Sequence, residues 1–163
     1  MKKLLPFIQF LLLGAVLYAQ PVLEWENRFD FEAGYESPQL MKISANNDIY
    51  ITGISNVDTF ANDILTLKIN ADGATAWHHI IRNDYDDIAD GLVVDNEGNC
   101  YLAGSLGDID LDSAGFLLSY NNDSSLQWIN MSALGTQGLT IDKNENIHTV
   151  SSYQKIHIRT YNL

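Results

Sequence analysis

Three aspartates at alternating positions, Asp108, Asp110 and Asp112, are the residues of this sequence best suited to bind a cation. Alternate residues of an extended strand point to the same face, so these three carboxylates would lie together. Hard cations such as Ca²⁺ prefer such oxygen ligands. The segment lacks the glycine and the glutamate of a calcium-binding loop at its sixth and twelfth positions. We therefore interpret it as a solvated acidic connection, predict no cofactor, and keep Ca²⁺ binding as the alternative.

A second acidic group contains Asp84, Asp86, Asp87 and Asp90. Two carboxylates held roughly 5 to 9.5 Å apart can hydrolyse a glycosidic bond, so this group is a candidate for glycan chemistry. The adjacent His78 and His79 lie on a predicted strand and point to opposite faces, which disfavours a shared metal. The sequence contains no nucleophile elbow, phosphate-binding loop or zinc-ligand spacing. The interpretation favours a protein without catalytic activity and leaves the enzyme class open.

The charge balance restricts the partners. Nine Lys and Arg residues stand against 21 Asp and Glu residues, which gives a formal net charge of −12. An acidic surface repels phosphate backbones and anionic lipid headgroups, so nucleic acid and membrane-surface partners are disfavoured. A protein or a glycan ligand is compatible with this charge. Tyr35 and Tyr85, in corresponding connections between repeat units, could contact a glycan.

The first nineteen residues have the pattern of a secretory signal peptide. Lys2 and Lys3 precede an apolar run over residues 4–17, and Ala19 is at the predicted cleavage site. The run is shorter than the roughly 20 residues that a membrane-spanning helix needs. We expect export of residues 20–163 to the periplasm, the cell surface or the medium, with no integral membrane span. Cys100 is the only cysteine, so we expect it to be a small buried residue.

The elements that carry these residues repeat along the chain. Turn-like clusters followed by short β-like runs begin near residues 43, 94 and 141. A second set of columns places a tryptophan seven residues after an asparagine in two of the copies. The repeat positions are Trp25, Trp77, Trp128, Tyr50, Tyr101, Gly53, Gly104, Asn70 and Asn121. Self-similarity near fifty residues, without helical periodicity, predicts repeated four-stranded sheets.

The repeat also predicts domain organisation and turns. We place units near residues 38–82, 88–131 and 137–162, and a strand over 22–29 that could complete the last unit. The turn columns contain Asn47 and Gly98, which tolerate positive φ, whereas Glu145 predicts a different turn in the third copy. The tryptophans are interpreted as packing between neighbouring sheets, with ligand stacking as the alternative.

Segments 94–104, 116–121 and 126–128, and residues 63–73 followed by Trp77, resemble the seven-bladed β-propeller repeats of secreted bacterial proteins. The resemblance covers roughly residues 22–162. It implies an all-β chain of four-stranded antiparallel blades, about three in number, forming an incomplete ring or fragment. The resemblance supplies no catalytic residues.

The predicted function is a secreted or surface-exposed module for binding or scaffolding. One alternative is a glycan-active hydrolase or lyase that uses carboxylates between blades. Another is a truncated structural fragment of a larger propeller protein. Closed propellers have about four to eight blades. Three blades therefore predict either self-association of two chains into a ring or membership of a longer chain.

Overall fold

Strands are the only regular secondary structure in the part of the chain that the structure, a computed structural model, describes. These residues are 21–31, 34–56, 61–107, 114–132, 134–153 and 155–162. They contain eleven strands: β1 Tyr35–Ile43, β2 Ile49–Asn56, β3 Asp63–Ile69, β4 Thr75–Ile81, β5 Ile88–Val94, β6 Cys100–Leu106, β7 Ala114–Tyr120, β8 Leu126–Ser132, β9 Gly138–Ile141, β10 Ile147–Tyr153 and β11 Lys155–Tyr161. The predicted all-β class is confirmed. No helix in these ranges is long and apolar enough to cross a membrane.

The strands form three antiparallel sheets that follow the order of the chain. Sheet 1 contains β1–β4 and sheet 2 contains β5–β8, each in sequential order, while sheet 3 contains β9–β11. Sheet 2 contacts sheet 1 mainly through β5, and it contacts sheet 3 mainly through β5 and β9. The three sheets do not close a ring within the described residues. We call the contact between sheets 1 and 2 the first interface, and that between sheets 2 and 3 the second interface.

The third strand of each sheet shows how completely its two faces are covered. Every residue of β3 is buried, and all of β7 except its first residue is buried. The corresponding strand of sheet 3, β11, is mostly exposed. The apolar core therefore lies on and between sheets 1 and 2, and it thins toward the outer strand of sheet 3.

The repeated glycines Gly53 and Gly104 are required by close backbone approach. β1 and β5 each carry a bulge beside the neighbouring strand. A Cβ atom on Gly53 would lie 2.1 Å from the carbonyl oxygen of Ser37, and one on Gly104 would lie 1.9 Å from that of Ile88. Any larger residue would therefore displace the bulged strand.

The turns between the first two strands of each sheet are alike. Asn47, Gly98 and Glu145 have φ angles of 64°, 86° and 66°, and each turn has the same pair of backbone hydrogen bonds. The prediction of a different turn at Glu145 is therefore wrong. Asp142 stabilises the turn with Glu145 at positive φ. Its carboxylate accepts a 2.9 Å hydrogen bond from the Asn146 side-chain amide and further hydrogen bonds from backbone N–H groups of the turn.

The segment predicted as a strand over 22–29 differs in the structure, where residues 21–30 form no strand. Trp25 lies against Gly73, and the Asn27 side-chain amide donates a 3.1 Å hydrogen bond to the Gly73 carbonyl oxygen. The segment therefore lies against sheet 1 and does not add to sheet 3. Sheet 1 is its nearest neighbour along the chain, because β1 begins only a few residues later.

Candidate functional site

The predicted cation ligands Asp108, Asp110 and Asp112 lie outside the described residues. Within the described ranges, no group of three or more His, Cys, Asp or Glu side chains is placed to hold a metal ion. Cys100 is fully buried, and burial raises the pKa of its thiol to about 12. That thiol stays protonated near neutral pH and is a poor nucleophile.

Asp87 joins two loops at one end of the first interface. Its side chain is fully buried, and its Oδ1 accepts hydrogen bonds from the Asn83 amide at 2.7 Å and the Gly107 N–H at 3.0 Å. Its Oδ2 has no hydrogen-bond partner among the described residues. Burial raises the pKa of this carboxyl, and the nearby Asp63 and Asp86 raise it further. Asp87 therefore stabilises the two loops that it joins. Its carboxylate is buried and cannot contact a substrate.

The other acidic candidates line none of the pockets found among the described residues of sheets 2 and 3. Asp84 and Asp90 are exposed. Partial desolvation by neighbouring groups raises the pKa of Asp90. Asp86 accepts a 2.9 Å hydrogen bond from the Asn62 backbone N–H.

Trp77 is packed in the first interface among aromatic rings. Its ring centroid lies 6.0 Å from those of Tyr50 and Tyr120, and its indole N–H donates a 3.2 Å hydrogen bond to the Asn122 carbonyl oxygen of sheet 2. His79 stacks on Tyr120 with centroids 4.4 Å apart and planes 6° apart. The polar edge of Trp77 is thus already occupied by the protein.

The two adjacent histidines point to opposite faces of β4. His78 contacts Phe31 with centroids 4.3 Å apart, whereas His79 faces sheet 2 and lies 2.9 Å from the Ser124 carbonyl oxygen. They do not share a binding site.

A buried ion pair completes the first interface. The ammonium of Lys68 lies 3.0 Å from the Asp48 carboxylate, and only 7% of the Lys68 side chain is exposed. The same ammonium contacts Asn122 of sheet 2 and lies 5.5 Å from the centre of the Tyr50 ring. The Tyr50 hydroxyl donates a 2.6 Å hydrogen bond across the interface to the Gly98 carbonyl oxygen. Charge and hydroxyl are both satisfied by protein groups.

The equivalent positions of sheet 2 make contacts within their own sheet. Tyr101 occupies the repeat position of Tyr50, but its hydroxyl donates a 2.9 Å hydrogen bond to the Asp95 carboxylate of its own turn. Asn99 donates to the same carboxylate at 2.8 Å. Burial, followed by the hydrogen bond to Asp95, raises the pKa of the Tyr101 phenol. The hydroxyl of Tyr101 is therefore not used to bind sheet 3.

A surface pocket lies beside Trp128, whereas the equivalent space beside Trp77 in the first interface is filled by protein groups. Its volume is about 400 Å³, and its lining residues are Glu97, Asn99, Tyr101, Ser119, Asn121, Gln127 and Trp128. A second pocket of about 340 Å³ borders the same indole and is lined by Trp128, Asn130, Tyr161 and Asn162. Trp128 thus lies between two concavities that contain amides, hydroxyls and a carboxylate.

The polar groups of this pocket are partly available. The Trp128 indole N–H has no hydrogen-bond partner among the described residues, in contrast to that of Trp77. Glu97 is exposed at the rim. An aromatic face beside hydrogen-bond donors and acceptors can hold a ligand that has both apolar and hydroxyl-bearing surfaces. The pocket beside Trp128 is therefore the best candidate binding site of the described protein.

The remaining repeat asparagines shape the turns that frame these interfaces. The Asn121 side-chain oxygen accepts a 2.8 Å hydrogen bond from the Ser125 N–H, and the Asn70 backbone closes the equivalent turn with Ala74. Tyr35 and Tyr85 are exposed and line none of the pockets described above.

Sequence reasoning did not locate the pocket. Trp77 and Trp128 are equivalent in the repeat, and their difference arises from the neighbouring sheet. The sequence did contain one indication that the two interfaces differ. Lys68 is the only charged residue in its repeat column, which holds Ser119 and Thr160 in the other copies.

Comparison with known proteins adds no family assignment: no protein-family model matches the chain, and no curated protein matches it significantly.

Proposed function

We propose that this protein is an exported, non-catalytic binding module whose ligand site is the pocket beside Trp128. The proposed ligand is a neutral, hydroxyl-rich molecule such as the sugar residues of a glycan. The observation that carries the proposal is the indole N–H of Trp128, which no described residue binds, beside a pocket of about 400 Å³ with a carboxylate at its rim.

The chemistry of the lining supports this ligand class. A sugar ring presents an apolar C–H face that can pack on an indole, and its hydroxyls can donate to a carboxylate and accept from amides. Trp128, Glu97 and Gln127 supply these three kinds of group. The pocket volume lies within the range of small-molecule sites, which is roughly 300 to 1,000 Å³.

The charge of the chain supports a neutral ligand. The formal net charge of −12 disfavours phosphorylated or sulfated molecules, because their charge has the same sign as that of the protein. Export rests on the pattern of residues 1–19, and membership of the β-propeller repeat family rests on the sequence resemblance.

The direct test is calorimetric titration of the full chain with neutral disaccharides: maltose, cellobiose, lactose and diacetylchitobiose. We expect saturable binding of at least one sugar, and a loss of about tenfold or more in affinity in Trp128→Ala. Glu97→Gln should also weaken binding. Asp84→Asn, which removes an exposed charge away from the pocket, is the matched control and should bind like the wild type.

Two results would contradict the proposal. One is the absence of saturable binding to every sugar, and the other is unchanged affinity in Trp128→Ala. Release of new reducing ends from a polysaccharide, lost in Asp90→Asn and Asp108→Asn, would instead favour the glycan-active enzyme.

A further inference from the structure

The outer strand of sheet 3 is available for pairing. β11 has a neighbour on one side only within the described residues, whereas the equivalent strands β3 and β7 have neighbours on both sides. Ile156 and Ile158 of β11 are 76% and 74% exposed. An edge strand with free backbone groups and exposed apolar side chains is a template for a further strand.

The segment 23–29 corresponds in the repeat to β4 and β8, and it makes one contact that matches a contact of β4. Asn27 donates a 3.1 Å hydrogen bond to the Gly73 carbonyl oxygen, and His79 lies 2.9 Å from the Ser124 carbonyl oxygen. Asn27 and His79 occupy one repeat column, and Gly73 and Ser124 occupy another. The segment therefore lies against sheet 1 much as β4 lies against sheet 2. It occupies the place of a fourth strand from a preceding sheet.

We infer that two copies of this chain associate through these elements. β11 of one copy pairs with residues 23–29 of a second copy, which becomes the fourth strand of a composite sheet. Sheet 2 lies between sheets 1 and 3, so the segment and β11 of one chain lie at opposite ends of the sheet array. A second copy brings the two together without moving the segment away from Gly73.

The register of this pairing follows from the other two sheets. Lys68 lies opposite Trp77 in sheet 1, and Ser119 lies opposite Trp128 in sheet 2. The same columns place Thr160 opposite Trp25 of the second copy.

This register brings together unlike charges. In this antiparallel register, Arg159 of β11, which precedes Thr160, lies opposite Glu26, which follows Trp25. Within the described residues, Glu26 makes a surface contact with Arg28 at 3.8 Å, in which both side chains are largely exposed. Opposite charges in a direct cross-strand pair stabilise a sheet.

The end of the register repeats an observed ion pair with its signs reversed. Arg82 lies 3.4 Å from Asp63 in sheet 1. The equivalent columns of the composite sheet hold Asp30 of the segment and Lys155 of β11. Charge complementarity at two positions thus supports the second copy as the occupant of this edge.

Reciprocal pairing of two copies creates two composite sheets. Together with sheets 1 and 2 of each copy, these give six sheets, which is within the range of closed rings.

The test is the solution mass of the full chain by light scattering over a range of concentrations, with four variants. Glu26→Lys/Asp30→Lys inverts the segment, and Lys155→Glu/Arg159→Glu inverts the strand. Each should weaken dimerisation by about tenfold or more, because like charges then face each other in both composite sheets. An equal mixture of the two variants should restore the wild-type dimer, because every facing pair is again unlike. Lys42→Glu and Lys143→Glu, at exposed positions outside the pairing, are controls and should leave the mass unchanged.

Three results would overturn the inference. The wild type could be a monomer at every concentration, or the inverted variants could dimerise like the wild type. The mixture could also fail to restore the dimer although circular dichroism shows both variants folded, which would show that these charged residues do not face each other between the two copies. Sugar binding is measured separately, so the failure of either proposal leaves the other standing.

Discussion

The first and second interfaces use the same repeat positions but differ in what fills them. In the first interface, the Trp77 indole N–H binds the Asn122 carbonyl oxygen, and the Tyr50 hydroxyl crosses to the Gly98 carbonyl oxygen. In the second, Tyr101 bonds within its own sheet and the indole of Trp128 borders a pocket. Equivalent residues thus serve packing in one place and are available for binding in another.

The difference originates in three columns of the repeat. The first copy has Ser44, Asp48 and Lys68 where the second has Asp95, Asn99 and Ser119. In the second copy the aspartate lies at the start of the turn and is satisfied by local donors. In the first copy the carboxylate belongs to Asp48, four positions later in the turn, and it pairs with Lys68. Lys68 then reaches sheet 2 and ties the two sheets together.

The largest expected difference is between the two tryptophans. Trp77→Ala should lower the free energy of unfolding by about 3 kcal/mol, because it leaves a cavity among packed rings and removes the indole hydrogen bond to Asn122. Trp128→Ala should cost about 1 kcal/mol, because its ring already borders open space. Urea denaturation followed by circular dichroism measures both. Equal costs would remove the distinction between the interfaces.

The buried ion pair provides the next test. Lys68→Met should cost about 3 kcal/mol, because it leaves the Asp48 carboxylate without its cation. The triple variant Ser44→Asp/Asp48→Asn/Lys68→Ser transfers the sheet 2 arrangement to sheet 1. It should recover most of that loss in the same denaturation experiment. A triple variant no more stable than Lys68→Met would show that the three columns do not act as a unit.

A smaller effect is expected from the tyrosine hydroxyls. Tyr50→Phe should cost about 1 kcal/mol, because the buried Gly98 carbonyl oxygen loses its donor. Tyr101→Phe should cost less, because the Asp95 carboxylate keeps its hydrogen bond from Asn99. Thermal unfolding of the two variants side by side measures the difference. The reverse order would contradict the assignment of Tyr50 as the contact between sheets.

The smallest effect concerns the buried charge at the end of the first interface. The pKa of Asp87 is raised in the folded state, so folded protein keeps its proton to higher pH than unfolded protein does. Stability therefore falls as pH rises from about 4 through the folded pKa. Asp87→Asn removes this loss and should gain about 0.5 kcal/mol at pH 7, while keeping an oxygen acceptor for Asn83 and Gly107.

Denaturation of Asp87→Asn and the wild type at several pH values supplies the control. The gain should vanish below about pH 4, where both side chains are neutral. A variant less stable than the wild type at pH 7 would show that the charged form is needed by the loops.

The repeat columns made much of the fold predictable. Repeated β-like runs and regularly spaced turn clusters predicted antiparallel four-stranded sheets, and the glycine columns are explained by the bulges that they face. The turn at Glu145 was mispredicted because residue preference for positive φ was given more weight than the bonds made by Asp142. Local hydrogen bonds can outweigh that preference at a single position.

The candidate site was not predictable to the same degree. The sequence assigns Trp77 and Trp128 one shared role, because a repeat column carries no information on the sheet that lies opposite. The pocket depends on which groups the adjacent sheet supplies, and the contact of the segment 23–29 with Gly73 depends on the path of the chain. The pocket and this contact both depend on the three-dimensional arrangement of the sheets, which the repeat columns do not specify.

The central claim is that Trp128, and not its repeat equivalent Trp77, faces a ligand. The most direct measurement is fluorine NMR of the full chain labelled with 5-fluorotryptophan, which gives one resonance for each of Trp25, Trp77 and Trp128. The resonances are assigned by replacing one tryptophan at a time with phenylalanine. Titration with the neutral disaccharides should shift the Trp128 resonance in a saturable way and leave the Trp77 resonance in place. A shift confined to Trp77, or no saturable shift at Trp128, would contradict the account.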